Sequence, residues 1–293
     1  MNAPIVQRQH FPKAIPFPVV FVGTPRKHQF TSSQPFGRSA RWLDANVVPK
    51  LKSRLADKNI LVAHSRELNE MYNLLEDDDS KATLVSIISS RMKNDNGFLR
   101  IAKYREYSHP LARVVDGDVV VDGGAHVGKV SRSFAKACGP RGAVYSFEPD
   151  PTNYLALVER NEDIRHLHAI PSGIWNETTN LLFDNAEGSS AGLALSENGS
   201  ISVPVISLDY FFSTEGRRAP SVIKFDIEGA EANGLVGAEN TIREHKPKLM
   251  ISAYHKPRDL WELIFQIREM RPDYKFYLGH HNYYHTETDI YAV

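Results

Sequence analysis

Residues 119–139 read VVVDGGAHVGKVSRSFAKACG. An unbroken apolar run that stops at an Asp, then glycines, then an amphipathic segment, is the pattern of a buried parallel strand turning into a helix. The turn carries Gly123, Gly124 and Gly128; without a Cβ they tolerate positive φ and let another group approach the backbone closely. Their spacing is not the G-x-G-x-x-G that seats a pyrophosphate on a helix N-terminus. The helix is predicted from about residue 128 to 138, with Val130, Phe134, Ala137 and Cys138 on its buried face and Gly139 as its stop.

Downstream the same alternation continues. AVYSFEP (143–149) is a second strand, followed by Asp150 as N-cap and Pro151 at the first helical position. Tyr154, Leu155 and Val158 are expected as that helix's buried stripe, and RHLHAI (165–170) as a third strand. SVIKFDIEG (221–229) and KLMISAYH (248–255) are two further strands flanking a helical segment, and DLWELIFQIREM (259–270) places Leu260, Ile264, Ile267 and Met270 at helical spacing. DYKFYLGHH and DIYAV close the chain as a hairpin. This is an α/β fold with a doubly wound, mostly parallel sheet. Upstream, residues 65–93 read as one helix with Leu84, Ile87 and Ile88 inward, capped at Asp79 or Ser80 beside the acidic run 76–79. Residues 1–60 are rich in Pro, Arg, Lys and Ser, with a short apolar run at 19–22, and suggest no function. The division expected is a partly helical extension over 1–95 and a ligand-binding domain over 96–293.

The 293 residues carry 35 Lys+Arg against 35 Asp+Glu, so no net field draws the chain to a phosphate backbone or an anionic membrane. Neither a nucleic-acid nor a membrane partner is expected. With 42% hydrophobic and 24% charged residues the composition is that of a soluble globular protein. A single cysteine, Cys138, excludes an internal disulfide and a thiolate zinc cluster. The apolar run near the N-terminus is interrupted by Pro16 and Pro18, so neither a signal segment nor a membrane span is read there and a cytoplasmic location is expected.

Asp122 at the glycine turn is a poor neighbour for pyrophosphate and a good partner for an ammonium group. That favours S-adenosylmethionine, whose methionine end carries an amine and a sulfonium. Glu148, ending the second strand, stands where α/β nucleotide folds place a carboxylate for the two ribose hydroxyls. With both acids in place, the chain resembles the FkbM family of S-adenosylmethionine-dependent methyltransferases. The likeness rests on VVVDGGAHVGKVSRSFA, VYSFEPDPTNYLALVERN, SGIWNET, VISLD, VIKFDIEGAEANGLVGAENTI and PKLMISAYHKPRDLWELI, and runs from about Tyr72 to the C-terminus. The resemblance implies a class I methyltransferase sheet of seven strands ending in a reversed hairpin, and O-methyl transfer to a hydroxyl of a sugar, glycan or secondary metabolite. It implies that Asp122, Gly123, Gly124 and Gly128 line the methionine moiety, that Glu148 holds the ribose, that Ser172 and Gly173 lie along the adenine, and that Asp226 faces the methyl-transfer site, with Ala125, His126 and Asp226 also counted among the cofactor-binding residues. Two positions depart from the family pattern: His126 where Asn or Phe is common, and Gly279 where Arg is often seen.

A hydroxyl acceptor must lose its proton in or near the transition state. His255, with an ordinary pKa near 6.5, is the base expected at the carboxyl ends of the strands, unless it only packs against the following helix. Asp226 and Glu228 are expected to point to one side of a strand end, where they either bind a hard divalent cation or leave Glu228 as a helix cap. His280 and His281 are adjacent on a strand and point to opposite faces, so they cannot share a metal ion; one is expected in the cleft and one in solvent. Tyr283 and Tyr284 are read either as stacking on an acceptor or as edge-strand packing. Residues 184–200 are read either as a lid or as a hairpin tip. Two other functions share the fold: a nicotinamide-dependent oxidoreductase, which lacks its fingerprint here, and a non-catalytic binding module.

Overall fold

The computed structural model describes residues 57–185, 193–195, 201–214 and 216–293. Three helices come first, α1 (Lys58–Ala63), α2 (Ser65–Leu74) and α3 (Asp78–Lys93). The glycine turn links β1 (Val119–Gly123) to α4 (Lys129–Cys138), and β2 (Ala143–Phe147), α5 (Pro151–Asn161) and β3 (Leu167–Ile170) follow. Short strands β4 (Gly173–Ile174), β5 (Thr179–Asn185), β6 (Leu193–Leu195) and β7 (Ile201–Ile206) form a second, four-stranded sheet in the order β4-β7-β5-β6. The chain returns through α6 (Leu208–Ser213) to β8 (Val222–Phe225), α7 (Glu231–Val236), α8 (Glu239–His245), β9 (Lys248–Ser252) and α9 (Asp259–Met270), and ends in β10 (Phe276–His280) and β11 (Thr288–Ala292).

The main sheet has seven strands in the order β10-β11-β9-β8-β1-β2-β3. The five strands from β9 to β3 are parallel, and β11 runs antiparallel to both β9 and β10. This is the reversed-hairpin sheet expected from the sequence. Its strands are apolar on both faces because helices cover both. Val121, Ile223, Ile251 and Ile290 enter the larger core, and Val120, Val222, Met250 and Tyr291 enter the core on the other face.

The single helix expected over residues 65–93 is two helices. Leu75 is extended and bridges to Phe276 of β10, and Asp77, rather than Asp79 or Ser80, caps α3 by accepting from the Ser80 amide at 2.7 Å. Asp78 and Asp79 occupy the first turn, where the helix dipole favours them. A boundary at residue 95 does not separate two cores. Leu68, Met71, Leu84, Ile87 and Ile88 share one cluster with Trp261, Leu278 and Ile290, and Ser80 Oγ accepts from the Leu278 amide. Residues 58–93 therefore buttress the hairpin edge of the sheet, whereas the run at 19–22 lies outside the described residues.

Two expected helix faces are corrected. In α4 the buried residues are Ser131, Phe134, Ala135 and Cys138, and Ala137 faces out. In α5, Leu155 is 67% exposed and Val158 41% exposed, whereas Leu157 and Asn161 are buried. The reason is the bare turn beneath: Gly128 has φ +75, and a Cβ there would overlap Leu157 and Asn161. Leu157 fills the space that glycine leaves and sets the rotation of the helix. The lid reading of 184–200 falls largely outside the described residues; what is described within it is the end of β5 and the short β6, which pair as antiparallel strands. No helix among the described residues is long and apolar enough to cross a membrane.

Candidate active site

In an open α/β sheet ligands bind outside the carboxyl ends of the strands, near the point where strand order reverses. Here that is the end of β1, between β2 and β8. Gly124, at φ +72, is required by the protein itself, because a Cβ would run into the Asp226 carbonyl. The turn is folded against its neighbours by its own amides. Those of Gly124 and Ala125 donate to the Phe147 carbonyl, that of Gly128 to Ala125, and that of His126 to Glu148 Oε2 at 2.6 Å. With these four amides engaged, the turn does not present the cradle that a pyrophosphate needs.

Glu148 lies just past β2 and is 4% exposed. Its other oxygen, Oε1, accepts from the Asp150 amide at 3.0 Å. Burial pushes its carboxyl up to about 7, against the pull of those two amides. Each carboxylate oxygen has a lone pair left for a further donor. Ser172 is buried at the seam of the two sheets, its hydroxyl donating to the carbonyls of Gly173 and Pro204, both at 3.1 Å.

Asp122 departs from the expectation. It is wholly buried and sits opposite Lys224 in the β1–β8 register. Lys224 Nζ lies 3.0 Å from its Oδ1, and the Ser131 hydroxyl donates to its Oδ2 at 2.6 Å. The carboxylate is thus engaged inside the protein instead of facing an open pocket. Lys224 was missed in the sequence, although a lysine inside an apolar strand calls for a buried partner. Its ammonium is held in the charged form, burial opposing and Asp122 and Asp226 prevailing.

Beyond β8 the chain bends at once, with Glu228 at φ 57 and Gly229 at φ 94. Asp226 accepts from Tyr107 Oη and Tyr254 Oη, each at 3.0 Å, and lies 3.5 Å from His255 Nε2. Its side chain is 27% exposed. Burial would raise its pKa, but the Lys224 and His255 charges and the two hydroxyls overcome this and hold it below the usual carboxylate range. Glu228 Oε2 approaches the same imidazole nitrogen at 3.7 Å. Asp226 and Glu228 therefore do converge, but on His255. No side chain caps the following helix, whose N-cap is Ala230; Glu231, its first residue, folds back to accept from the amides of Ile227 at 2.9 Å and Gly229 at 3.3 Å.

His255 is not placed to act as a neutral base. Its side chain is 8% exposed, its Nδ1 lies 3.0 Å from Glu231 Oε1, and its Nε2 faces Asp226 and Glu228. Burial disfavours the charge, but Glu231 first, then Asp226 and Glu228, raise its pKa to about 10. These carboxylates favour the imidazolium, which has no lone pair to offer. Glu231, His255 and Asp259 bring donor atoms within 4.8 Å of one another, the spacing of a metal trio. They are engaged within the protein: Asp259 Oδ2 accepts from the Lys256 amide at 2.6 Å, and Glu231 serves two amides and the imidazole.

The hairpin corrects a further expectation. His280 is fully buried, its Nδ1 2.8 Å from Thr288 Oγ1, and His281 is also largely buried, its Nε2 3.0 Å from Tyr291 Oη. Neither faces solvent, because Tyr104 and α3 cover the two faces of this edge. Gly279 has no room for an arginine, since even a Cβ would press on Tyr104 and His281. Tyr283 and Tyr284, 65% and 50% exposed, stand in the turn joining β10 to β11 at the same end of the sheet as Asp226.

The chain is similar to known proteins in sequence and in fold. The family model described as the methyltransferase FkbM domain matches residues 122–278, more than half of the chain. The chain is 26% identical over 179 residues to the hexuronic acid methyltransferase AglP of Haloferax volcanii, covering 58% of this chain and 73% of that one. Its structure is similar to the crystal structure of methyltransferase FkbM from Methylobacillus flagellatus, with a TM-score of 0.67 and 27% identity over 80% of this chain. The match spans 60% of that protein's length, so this chain corresponds to less than two thirds of it.

Proposed function

The chain belongs to the FkbM methyltransferase family, and from that premise we propose that it transfers a methyl group from S-adenosylmethionine to a hydroxyl of a sugar, glycan or secondary metabolite. The observation that carries the reading is the placing of two carboxylates on either side of the β1 turn: Glu148 past β2 and Asp226 past β8. Glu148 would take the ribose hydroxyls with its remaining lone pairs. Ser172 and Gly173 would flank the adenine, and the turn 123–128 would meet the methionine end.

When bound, S-adenosylmethionine supplies a methyl group on a sulfonium, open to in-line attack. The chain's own residues then align the nucleophile and exclude water. Asp226 would accept a hydrogen bond from the acceptor hydroxyl and take up the proton that the hydroxyl loses on methylation. Tyr107 and Tyr254 fix the carboxylate's orientation, and the His255 imidazolium keeps it ionised until the proton arrives.

Methyl transfer from labelled S-adenosylmethionine is expected to at least one sugar acceptor in a panel of hexosides and hexuronates with free hydroxyls; transfer to none of them would remove the sugar reading. The function itself is tested by titration calorimetry with S-adenosylhomocysteine, for which saturable binding at micromolar concentration is expected. No heat with either cofactor form would end the proposal.

A further inference from the structure

We infer that Lys224 is a positioning residue for the cofactor's methionine end: one buried ammonium holds the glycine turn in its binding shape. The inference rests on the function proposed above. Lys224 is 1% exposed and sits two residues before Asp226. Its three hydrogens have three acceptors in reach. Nζ donates to the carbonyls of Gly123 and Gly124, each at 3.0 Å, and lies 3.0 Å from Asp122 Oδ1. The Tyr107 ring lies under the same ammonium, 5.2 Å away, and its hydroxyl reaches Asp226.

Three parts of the site that must agree in position therefore meet at one atom: the end of β1, the first residues of the turn, and the strand that leads into Asp226. Turning the two glycine carbonyls inward fixes the peptide planes of the turn, and with them the side on which Ala125 and His126 stand. An apolar side chain cannot do this: the Gly123 carbonyl would keep the Asp226 amide, but that of Gly124 would lose the ammonium it points at, and a buried carbonyl without a donor is costly. Asp122 also takes a different role from the ammonium clasp expected from the sequence. It neutralises Lys224, and the Ser131 hydroxyl holds it in line. Charge in the strand serves the shape of the turn.

A merely structural lysine and a positioning one differ in what their loss does to different parts of the ligand. Lys224 bonds directly to the turn and reaches Glu148, the residue proposed for the ribose half, only through its charge, so its loss should fall mainly on the amino-acid tail. The experiment is calorimetric titration of the full-length protein and its Lys224→Met variant with two probes: S-adenosylhomocysteine, which carries the amino-acid tail, and methylthioadenosine, which lacks it. The variant is expected to lose at least tenfold in affinity for the first and to stay within twofold for the second. Equal weakening of both probes, or an unchanged affinity for S-adenosylhomocysteine, would overturn the inference. Should Lys224→Met fail to fold, Lys224→Arg serves the same comparison: it keeps the charge for Asp122 but cannot point three hydrogens at one place, and must show the same one-sided loss. If the unsubstituted protein binds neither probe, it is the proposed function that falls, and the inference with it.

Discussion

Replacing Glu148 with alanine is expected to reduce S-adenosylhomocysteine affinity by about 100-fold or more while leaving the protein folded. Two ribose hydroxyls donating to an ionised acceptor contribute about 1.5–3 kcal/mol each, and 1.4 kcal/mol is about tenfold in affinity. The amides of His126 and Asp150, which now meet Glu148, would be left without an acceptor, which adds to the loss by loosening the turn. Folding is spared because Asp150 still caps α5 through the Thr152 and Asn153 amides, and Gly124 and Ala125 still bond to Phe147. Titration calorimetry with a parallel thermal melt separates the two effects. An alanine variant that binds within a few-fold of the native protein would remove Glu148 from the site.

The same carboxyl gives the binding a pH dependence of defined sign. Burial raises Glu148 from 4.5 to about 7 in the ligand-free protein. The ribose hydroxyls are donors and need the ionised form, so below about pH 7 binding must first remove a proton. Affinity should fall towards lower pH, by up to about tenfold per unit. A Glu148→Gln variant, which keeps the shape and loses the titration, should bind weakly with no slope over the same range.

The sequence displays local pattern more openly than pairing across the sheet. Strand, glycine turn and terminal acid are adjacent in the chain, so the β1 turn and the place of Glu148 just past β2 are legible from local pattern alone. The role of Asp122 is not, because it depends on the β1–β8 register, which pairs residues about a hundred positions apart. A signal was present nonetheless: VVVDG and VIKF each bury one charge in an apolar strand, and opposite charges in such settings require each other. The surroundings of His255 are hidden for a similar reason: Glu231, three residues beyond Glu228, folds back onto it and favours its charged form. Tyr107 carries no motif at all, and it reaches Asp226 from a segment before the sheet begins. Leu155 and Val158 were assigned inward because periodicity gives a stripe without its phase; Gly128 sets the phase from outside the helix.

The charge state of His255 leads to the other large effect. Substituting glutamine preserves much of the volume and removes the positive charge, leaving Asp226, Glu228 and Glu231 facing a neutral group. Breaking a buried ion cluster by removing one partner costs about 3–5 kcal/mol, and that is the loss of stability expected for His255→Gln near neutral pH. The folded-state pKa, about 10, lies above the ordinary 6.5. The stabilisation is therefore fully present below about 6.5 and is lost as pH rises through 10. Urea titrations of native and variant protein at about pH 6.5, 8.5 and 10.5 should show a gap that narrows as the pH rises. A gap that stays constant would mean a packing role, and no gap at all would mean that the imidazole is neutral and the carboxylates are held by something else. The reaction must follow the same charge: an imidazolium cannot take the acceptor's proton, so the rate should not gain the rising limb near pH 6.5 that a histidine base imposes. A limb there that disappears in His255→Gln would return the proton to the histidine and reduce Asp226 to its support.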